Sequence, residues 1–299
     1  MDKQQLSPTE PQQQLSPEQK QALNEQLLIS VRCNDESEVE KLLKNGADVN
    51  AVYENGMTAL MWACYNGNLD IAKFLIAKGA EVNSQKQDGE TALMLACMNG
   101  HWDIVKTDIV KMDIVKLLIA NKADVNAKDK KGNTALMVAC SNDNLQIAEL
   151  LLEKGANVNA VYENGMTSLM LACYNGNLDI AKILIENGAD VNGQELNALR
   201  YFDIQELKEL AKSLLESEYL NNKTDKTNNL SEERKKKLLL EQKCQTTEDS
   251  IKFITELCKR IKASRLLIKK INIQKSIQNV VSNGLYIRKE KLDLWSKLI

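Results

Sequence analysis

The chain has little of several things, and each scarcity excludes something. It carries one histidine, His101, in 299 residues. A Ser-His-Asp or Cys-His mechanism would have to use that residue. A Cys2His2 zinc site is excluded, and there is no HExxH. Neither GxxxxGKS/T nor GxGxxG occurs, so the common nucleotide sites lack their phosphate-cradling loop. The seven cysteines form no CxxC pair, which points to a reducing compartment and away from a disulfide framework. Aromatic residues make up only 4%, fewer than a large sandwich core uses. That favours helices packed through Leu, Ile, Val and Ala. Apolar runs are a few residues long, whereas a membrane-spanning helix needs about 20. The start, MDKQQLSPTEPQQQ, has no apolar stretch, so no cleavable signal peptide is expected.

What is present is ordinary in bulk, with 43% hydrophobic and 27% charged residues. The length suggests about two domains. The net charge of −2 hides a division. Residues 1–193 carry 17 Lys and Arg against 26 Asp and Glu, a net of −9. Residues 194–299 carry 22 against 15, a net of +7. Two parts with different surfaces are expected. Residues 1–22 are rich in Gln, Ser and Pro, with QQLSP at 4–8 and again at 13–17. All three prolines lie here (Pro8, Pro11, Pro17). Such a composition cannot bury enough apolar surface to offset ordering, so 1–22 reads as a disordered arm.

The middle repeats. Gly56, Gly89, Gly132 and Gly165 open equivalent segments at spacings of 33, 43 and 33. Asn50, Asn83, Asn126, Asn159 and Asn192 close them at 33, 43, 33 and 33. The opening segments are GMTALMWACYNG, GETALMLACMNG, GNTALMVACSND and GMTSLMLACYNG. Thr58, Thr91, Thr134 and Thr167 stand where a hydroxyl can cap a helix. Gly67, Gly100 and Gly176 can stop that helix in the left-handed region. Asp143 takes the same place in the fourth repeat and tolerates it better than most residues. A second helix then runs to GA-D/E/N-VN. Two short helices cannot form a core alone, so stacked neighbours must bury a shared one.

These residues resemble the ankyrin repeat family over 24–193. The resemblance implies an all-α solenoid of helix-turn-helix units with short β-hairpin loops, followed by a helical C-terminal region. The repeats fall at about 23–50, 51–83, 84–126 with a ten-residue insertion, 127–159 and 160–193. The first lacks the Gly-x-Thr start and reads as an N-terminal capping unit. The family proline is replaced by Ala59, Ala92, Ala135 or Ser168. The family histidine is replaced by Met61, Met94, Met137 or Met170. Residues 52–73 and 161–182 differ only at Ala59/Ser168 and Trp62/Leu171, which suggests a recent duplication. The insertion also repeats itself, with DIVK at 103–106, 108–111 and 113–116. A step of five rotates a helix face by about 140°, so the three Ile-Val pairs cannot share one groove. A projecting extension of the second helix, or a bulge, is expected.

The resemblance further implies a non-enzymatic scaffold without cofactor, metal or catalytic residues. It binds a protein partner, unidentified, through a concave face of hairpin tips and first helices. Mapped by register, the candidates are Glu54, Asn55, Met57, Tyr65 and Asn66 in the second repeat. The third gives Gln87, Asp88, Glu90, Met98 and Asn99, and the fourth Lys130, Lys131, Asn133, Ser141 and Asn142. The fifth gives Glu163, Asn164, Met166, Tyr174 and Asn175. The tyrosines are the natural anchors, since aromatics dominate interface hot spots. Trp62 is expected to pack between units. Cys64, Cys97, Cys140 and Cys173 share one repeated place. Helices pack about 10 Å apart, too far for four such thiols to share one zinc with Zn–S near ~2.3 Å. They read as small core residues.

Residues 194–299 carry no such pattern. Residues 203–219 read as an amphipathic helix with Ile204, Leu207, Leu210, Ala211 and Leu214 on one face, placed to cap the array. Between Glu256 and Glu290 there is no acidic residue. The basic residues there include Lys259, Arg260, Lys262, Arg265, Lys269 and Lys270. This stretch could bind nucleic acid, an anionic membrane or an acidic partner, or dock on the acidic array of its own chain. Two alternative functions therefore stand beside the scaffold. One is a membrane- or nucleic-acid-attached adaptor. The other is an enzyme with its catalytic part in 194–299, where Cys244 and Cys258 are the only thiols. The wealth of Lys, Asn and Ile is similar to that of ankyrin proteins of host-associated intracellular bacteria. That likeness implies a cytoplasmic monomer or an effector translocated into a host cell.

Overall fold

The fold is that of a computed structural model, which describes residues 15–53, 55–98, 107–191, 198–222, 239–240 and 242–260. Every named element among the described residues is helical. The chain forms two compact bodies, one ending at Ala156 and one starting at Asn157. The N-terminal body holds α1 (Pro17–Arg32), α2 (Glu36–Lys44), α3 (Ala59–Asn66), α4 (Leu69–Ala77), α5 (Ala92–Cys97), α6 (Thr107–Ala120), α7 (Ala135–Ser141) and α8 (Leu145–Glu153). The C-terminal body holds α9 (Ser168–Tyr174), α10 (Leu178–Glu186), a 3-10 turn at Leu199–Tyr201 and α11 (Ile204–Asn222). Residues 247–260 are helical as well.

The first helices start where the repeated threonines place them. The hydroxyl oxygens of Thr58, Thr91, Thr134 and Thr167 accept from the amides of Met61, Met94, Met137 and Met170 at 3.2–3.4 Å. Each such cap contributes about 1 kcal/mol. The stops also follow the sequence. Gly67 has φ 76°, Gly176 has φ 73°, and Asp143 takes their place at φ 56°. Gly100 lies outside the described residues.

The repeat then generates a core by register. Leu27, Leu60, Leu93 and Leu136 occupy one place in successive repeats of the N-terminal body, and all are buried. Leu169 is their counterpart in the C-terminal body and is buried too. Burying a leucine fully contributes about 1.5–3 kcal/mol, so the stripe is a large term. Met61, Met94, Met137 and Met170 fill the neighbouring place and are also buried. The thioether fills that space without needing the hydrogen-bond partner an imidazole would.

The insertion lengthens one helix. α6 has 14 residues where α4, α8 and α10 have nine. Counted back from Asn126, a helix like α4 would start at Met112, and α6 starts five residues earlier at Thr107. The third DIVK keeps the ordinary register, with Ile114, Val115 and Leu118 buried as Ile71, Ala72 and Leu75 are. The second is rotated off that face. Its Val110 is half-buried, and its Cγ1 lies 3.9 Å from where a Cβ on Gly67 would stand. The first DIVK lies outside the described residues.

One boundary needs correction. The Gln/Ser/Pro arm does not run to residue 22, because α1 begins at Pro17. Ser16 and Gln19 form a reciprocal capping box, the Gln19 amide donating to Ser16 Oγ at 3.2 Å and the Ser16 amide to Gln19 Oε1 at 2.9 Å. Pro17 at the first helical position costs nothing, since its missing N–H would be unpaired there anyway. Residues 1–14 lie outside the described residues.

In the C-terminal body Asp203 caps α11, its Oδ1 accepting from the Gln205 and Glu206 amides at 2.7 and 2.8 Å. Leu207, Leu210, Ala211 and Leu214 are buried, as their spacing predicts. α11 packs on α10, and Ser213 Oγ donates to Glu186 Oε1 at 3.2 Å. The helix thus covers the fifth repeat.

Ser168 breaks the pattern. It is 0% exposed, and its hydroxyl has no hydrogen-bond partner. Ala59, Ala92 and Ala135 hold this place elsewhere. An unpaired buried hydroxyl costs about 1–3 kcal/mol. Ser168→Ala is therefore expected to stabilise the protein by about 1 kcal/mol, read as a higher urea midpoint. An unchanged or lowered midpoint would contradict the unpaired hydroxyl.

Candidate partner-binding surface

Each first helix is entered through a hairpin. Tyr53, Lys86, Asp129 and Tyr162 donate from their amides to the carbonyls of Met57, Glu90, Asn133 and Met166 at 2.9–3.0 Å. Asn55 and Asn164 close their hairpins from within, Oδ1 accepting from the Met57 and Met166 amides at 3.1 and 3.0 Å. Neighbouring hairpins of the N-terminal body are joined through backbone. The Gln87 amide donates to the Asn55 carbonyl at 2.9 Å, and the Lys130 amide to the Asp88 carbonyl at 2.8 Å. This close approach needs glycine. A Cβ on Gly56 would stand 2.9 Å from the Gln87 nitrogen, and one on Gly89 would stand 2.9 Å from Asp129 Cα and Lys130 N. Both also have positive φ, 80° and 91°.

A second set of bonds ties the other end of each repeat. Asn83 Nδ2 donates to the Lys122 carbonyl at 2.9 Å while its Oδ1 accepts from the Asp124 amide at 2.8 Å. Asn50 does the same with the Gly79 carbonyl and the Glu81 amide, at 3.2 and 2.8 Å. In the C-terminal body Asn159 bonds the Gly188 carbonyl and the Asp190 amide at 3.1 and 2.8 Å. Asn50, Asn83 and Asn159 are thus clamps between repeats, while Asn192 lies outside the described residues.

On this frame the candidate residues separate. Gln87, Asp88, Lys130, Lys131, Ser141, Glu163, Asn164, Tyr174 and Asn175 are exposed, as is Asn55. Tyr65, Asn66, Glu90, Met98, Asn133, Asn142 and Met166 are half-buried. Asn133 is held by the Asp129 carboxylate at 2.8 Å, and Asn142 by the Val138 carbonyl at 2.8 Å. Lys86 sits between Glu90 and Asp88 at 2.5 and 3.1 Å. Burial pulls its ammonium down, but the two carboxylates outweigh that and hold it above the ordinary lysine value. Met57 is a correction. It is 4% exposed, packed under its hairpin, and offers no surface to a partner. Glu54 and Asn99 lie outside the described residues.

Trp62 is half-buried and packs across repeats. The Arg32 guanidinium stands 5.0 Å from its ring centroid, and Tyr65 meets it edge-on at 6.1 Å. Sequence reasoning passed over Arg32, which shares the register of Tyr65. It also passed over Tyr201, which meets Tyr174 edge-on at 5.5 Å.

The repeated thiols are core residues. Cys64, Cys97, Cys140 and Cys173 are buried. Burial pushes the thiols of Cys97 and Cys173 up to about 12 and raises that of Cys64. In the C-terminal body Cys244 is buried and Cys258 half-buried, the latter also pushed up to about 12 by burial. Among the described residues no three His, Cys, Asp or Glu side chains are grouped to hold a metal. Lys259 and Arg260 of the basic stretch are exposed. Lys262, Arg265, Lys269 and Lys270 lie outside the described residues. No described helix is long and apolar enough to cross a membrane.

The family model described as ankyrin repeats (3 copies) matches residues 27–107 and 109–195. A stretch of 51 residues is 47% identical to the mitochondrial disaggregase of Homo sapiens, covering 17% of this chain and 7% of that protein. The matched part is thus a small fraction of that relative.

Two outcomes are expected from this geometry. Gly89→Ala carries both a left-handed backbone cost of about 1 kcal/mol or more and a clash with the next hairpin. Gly79→Ala carries only the first, since nothing lies within 4 Å of its Cβ position. Thermal melts should rank Gly89→Ala clearly below Gly79→Ala, and equal losses would refute the close approach. Alkylation at pH 8, read by peptide mass spectrometry, should label exposed Cys33 first. Cys64, Cys97, Cys140 and Cys173 should stay protected until the chain unfolds. Labelling of any of the four at the rate of Cys33 would contradict their burial.

Proposed function

The chain belongs to the ankyrin repeat family, and from that premise we propose that it is a scaffold that binds a protein partner through its hairpins and first helices. Ankyrin repeats are generally protein–protein interaction modules, and the family is typically non-enzymatic. One observation supports placing the partner on this face. The large exposed apolar side chains among the described residues are Leu15, Ile29, Val52, Tyr53, Val161, Tyr174 and Tyr201. Ile29 and Tyr174 are on first helices, Val52, Tyr53 and Val161 are on hairpins, and none is on the second helices α2, α4, α6, α8 or α10. Scattered exposed apolar residues are normal on any protein. Five of the seven lie on hairpins and first helices, in both bodies, while Leu15 and Tyr201 lie outside the two-helix repeats. The absence of any from the second helices is what supports the hairpin and first-helix side as the interaction surface.

The second helices present salt bridges instead. Lys41–Glu38, Lys44–Glu40, Lys73–Asp70 and Lys182–Asp179 are spaced three or four apart at 2.8–3.1 Å. Such exposed pairs contribute only about 0.3–0.5 kcal/mol each, but they make a solvated face. The test places a photo-crosslinking amino acid in the full chain at Asn55, Asn164 or Tyr174, and at Lys73 or Glu149 as controls. Salt-resistant adducts from the first three and not the controls are expected. Adducts from Lys73 and Glu149 alone, or salt-sensitive adducts found only with the probe at Lys259, would overturn the assignment.

A further inference from the structure

The near-identical segments 52–73 and 161–182 carry the same tyrosine, Tyr65 in one and Tyr174 in the other. In the first, the aromatic partner is Trp62, and the T-shaped pair has centroids 6.1 Å apart at 82°. A cation lies over the tryptophan of that pair, the Arg32 guanidinium 5.0 Å from the Trp62 centroid. In the second segment Trp62 has become Leu171. The pair is nonetheless rebuilt, because Tyr201 of the 3-10 turn meets Tyr174 at 5.5 Å and 73°. These two rings are 65% and 63% exposed.

The rebuilt pair has no cation of its own among the described residues. The cations that lie over rings there are Arg32 on Trp62 and Lys78 on Phe74. Arg32 stands 33 residues before Tyr65, and the residue 33 before Tyr174 is the uncharged Ser141. Arg200, beside Tyr201, is drawn to Glu248 at 3.0 Å. From 155 to 181 there is no Lys or Arg, Glu163 is exposed, and the nearest lysine in sequence, Lys182, is paired with Asp179 at 3.1 Å. The two rings are therefore exposed with no cation over them among the described residues, and an aromatic pair attracts a guanidinium through its ring quadrupoles.

We propose that the Tyr174–Tyr201 pair is the seat of an arginine side chain carried by the partner protein. This rests on the scaffold reading and adds the chemistry of the partner. Within the chain, Arg32 on Trp62 shows a guanidinium seated on one ring of a T-shaped pair, there the tryptophan. Removing either tyrosine is expected to weaken binding of an arginine-bearing partner about two- to five-fold.

The test uses the full chain with carbon-13-labelled tyrosine, followed by proton–carbon NMR. The signals of Tyr174 and Tyr201 are assigned with Tyr174→Phe and Tyr201→Phe, which keep the rings. The probes are N-acetylarginine amide and its neutral isostere N-acetylcitrulline amide. Arginine should shift the Tyr174 and Tyr201 signals and leave Tyr65 in place, and citrulline should shift none of them. Tyr174→Leu should abolish the arginine response at Tyr201. An unmoved Tyr162 signal, from the same body, reports that this variant is folded. Equal shifts with citrulline, or no shift with arginine, would overturn the seat. Movement of the two signals on adding salt alone would assign it to a cation of this chain and overturn the partner as occupant. Crosslinks from Asn164 and Tyr174 without an arginine response would overturn only this assignment and leave the scaffold standing.

Discussion

Asn83 holds two repeats together with the two ends of one amide. Its nitrogen donates to the Lys122 carbonyl and its oxygen accepts from the Asp124 amide. Both partners are backbone groups in the loop just after α6, which ends at Ala120, so helical hydrogen bonding does not satisfy them. The clamp therefore satisfies groups that would otherwise be unpaired and fixes the distance between repeats. Helices of six to nine residues such as α3, α4 and α5 are too short to persist alone. Their stability comes from neighbours held at this spacing, which brings Leu60 and Leu93 into one stripe.

The same constraint explains what the chain tolerates. An insertion is harmless when it leaves the clamp in register with the core. The ten extra residues precede Met112, so Ile114, Leu118 and Asn126 keep the places of Ile71, Leu75 and Asn83. The extra chain is added at the N-terminal end of α6, away from the Asn126 bond to the Gly155 carbonyl at 3.1 Å. An insertion between Ile114 and Leu118 would instead rotate Leu118 off the buried face of α6. Glycine is required at the hairpin for a related reason. The next hairpin lies against Gly56 and Gly89 so closely that a methyl group would meet backbone, which cannot swing aside.

Much of this was legible from residues alone. Period, threonine caps and left-handed stops are local chemistry, so Thr134 and Asp143 could be read one by one. The buried face of α11 followed from spacing for the same reason. Other features depended on contacts that spacing does not report. Met57 and Met166 have the same sequence neighbours, yet Met57 is buried and Met166 half-buried. The arm boundary was readable and was missed, since Ser16-Pro17-Glu18-Gln19 carries both a capping box and a first-turn proline. At a helix start such a local motif decides the conformation, whatever the composition of the flanking chain. Tyr201 lies outside the repeat pattern, so no register argument could have paired it with Tyr174.

The duplication shows how equal sequences acquire unequal surfaces. Tyr65 meets Trp62 edge-on, Arg32 covers the tryptophan, and the tyrosine is half-buried. Tyr174 has lost that tryptophan to Leu171, has gained Tyr201, and is exposed. Neither change alters the fold of its helix, because both residues lie away from the buried Leu–Met–Ala–Cys face. In a repeat array stability is a sum of repeat terms and nearest-neighbour interface terms, and the interfaces here are the clamp and the buried stripe. The surface positions are thus free to diverge while the clamp and core stay fixed. Divergence at Trp62/Leu171 changes which ring faces point to solvent and which charge they can receive, and the scaffold itself bears no cost.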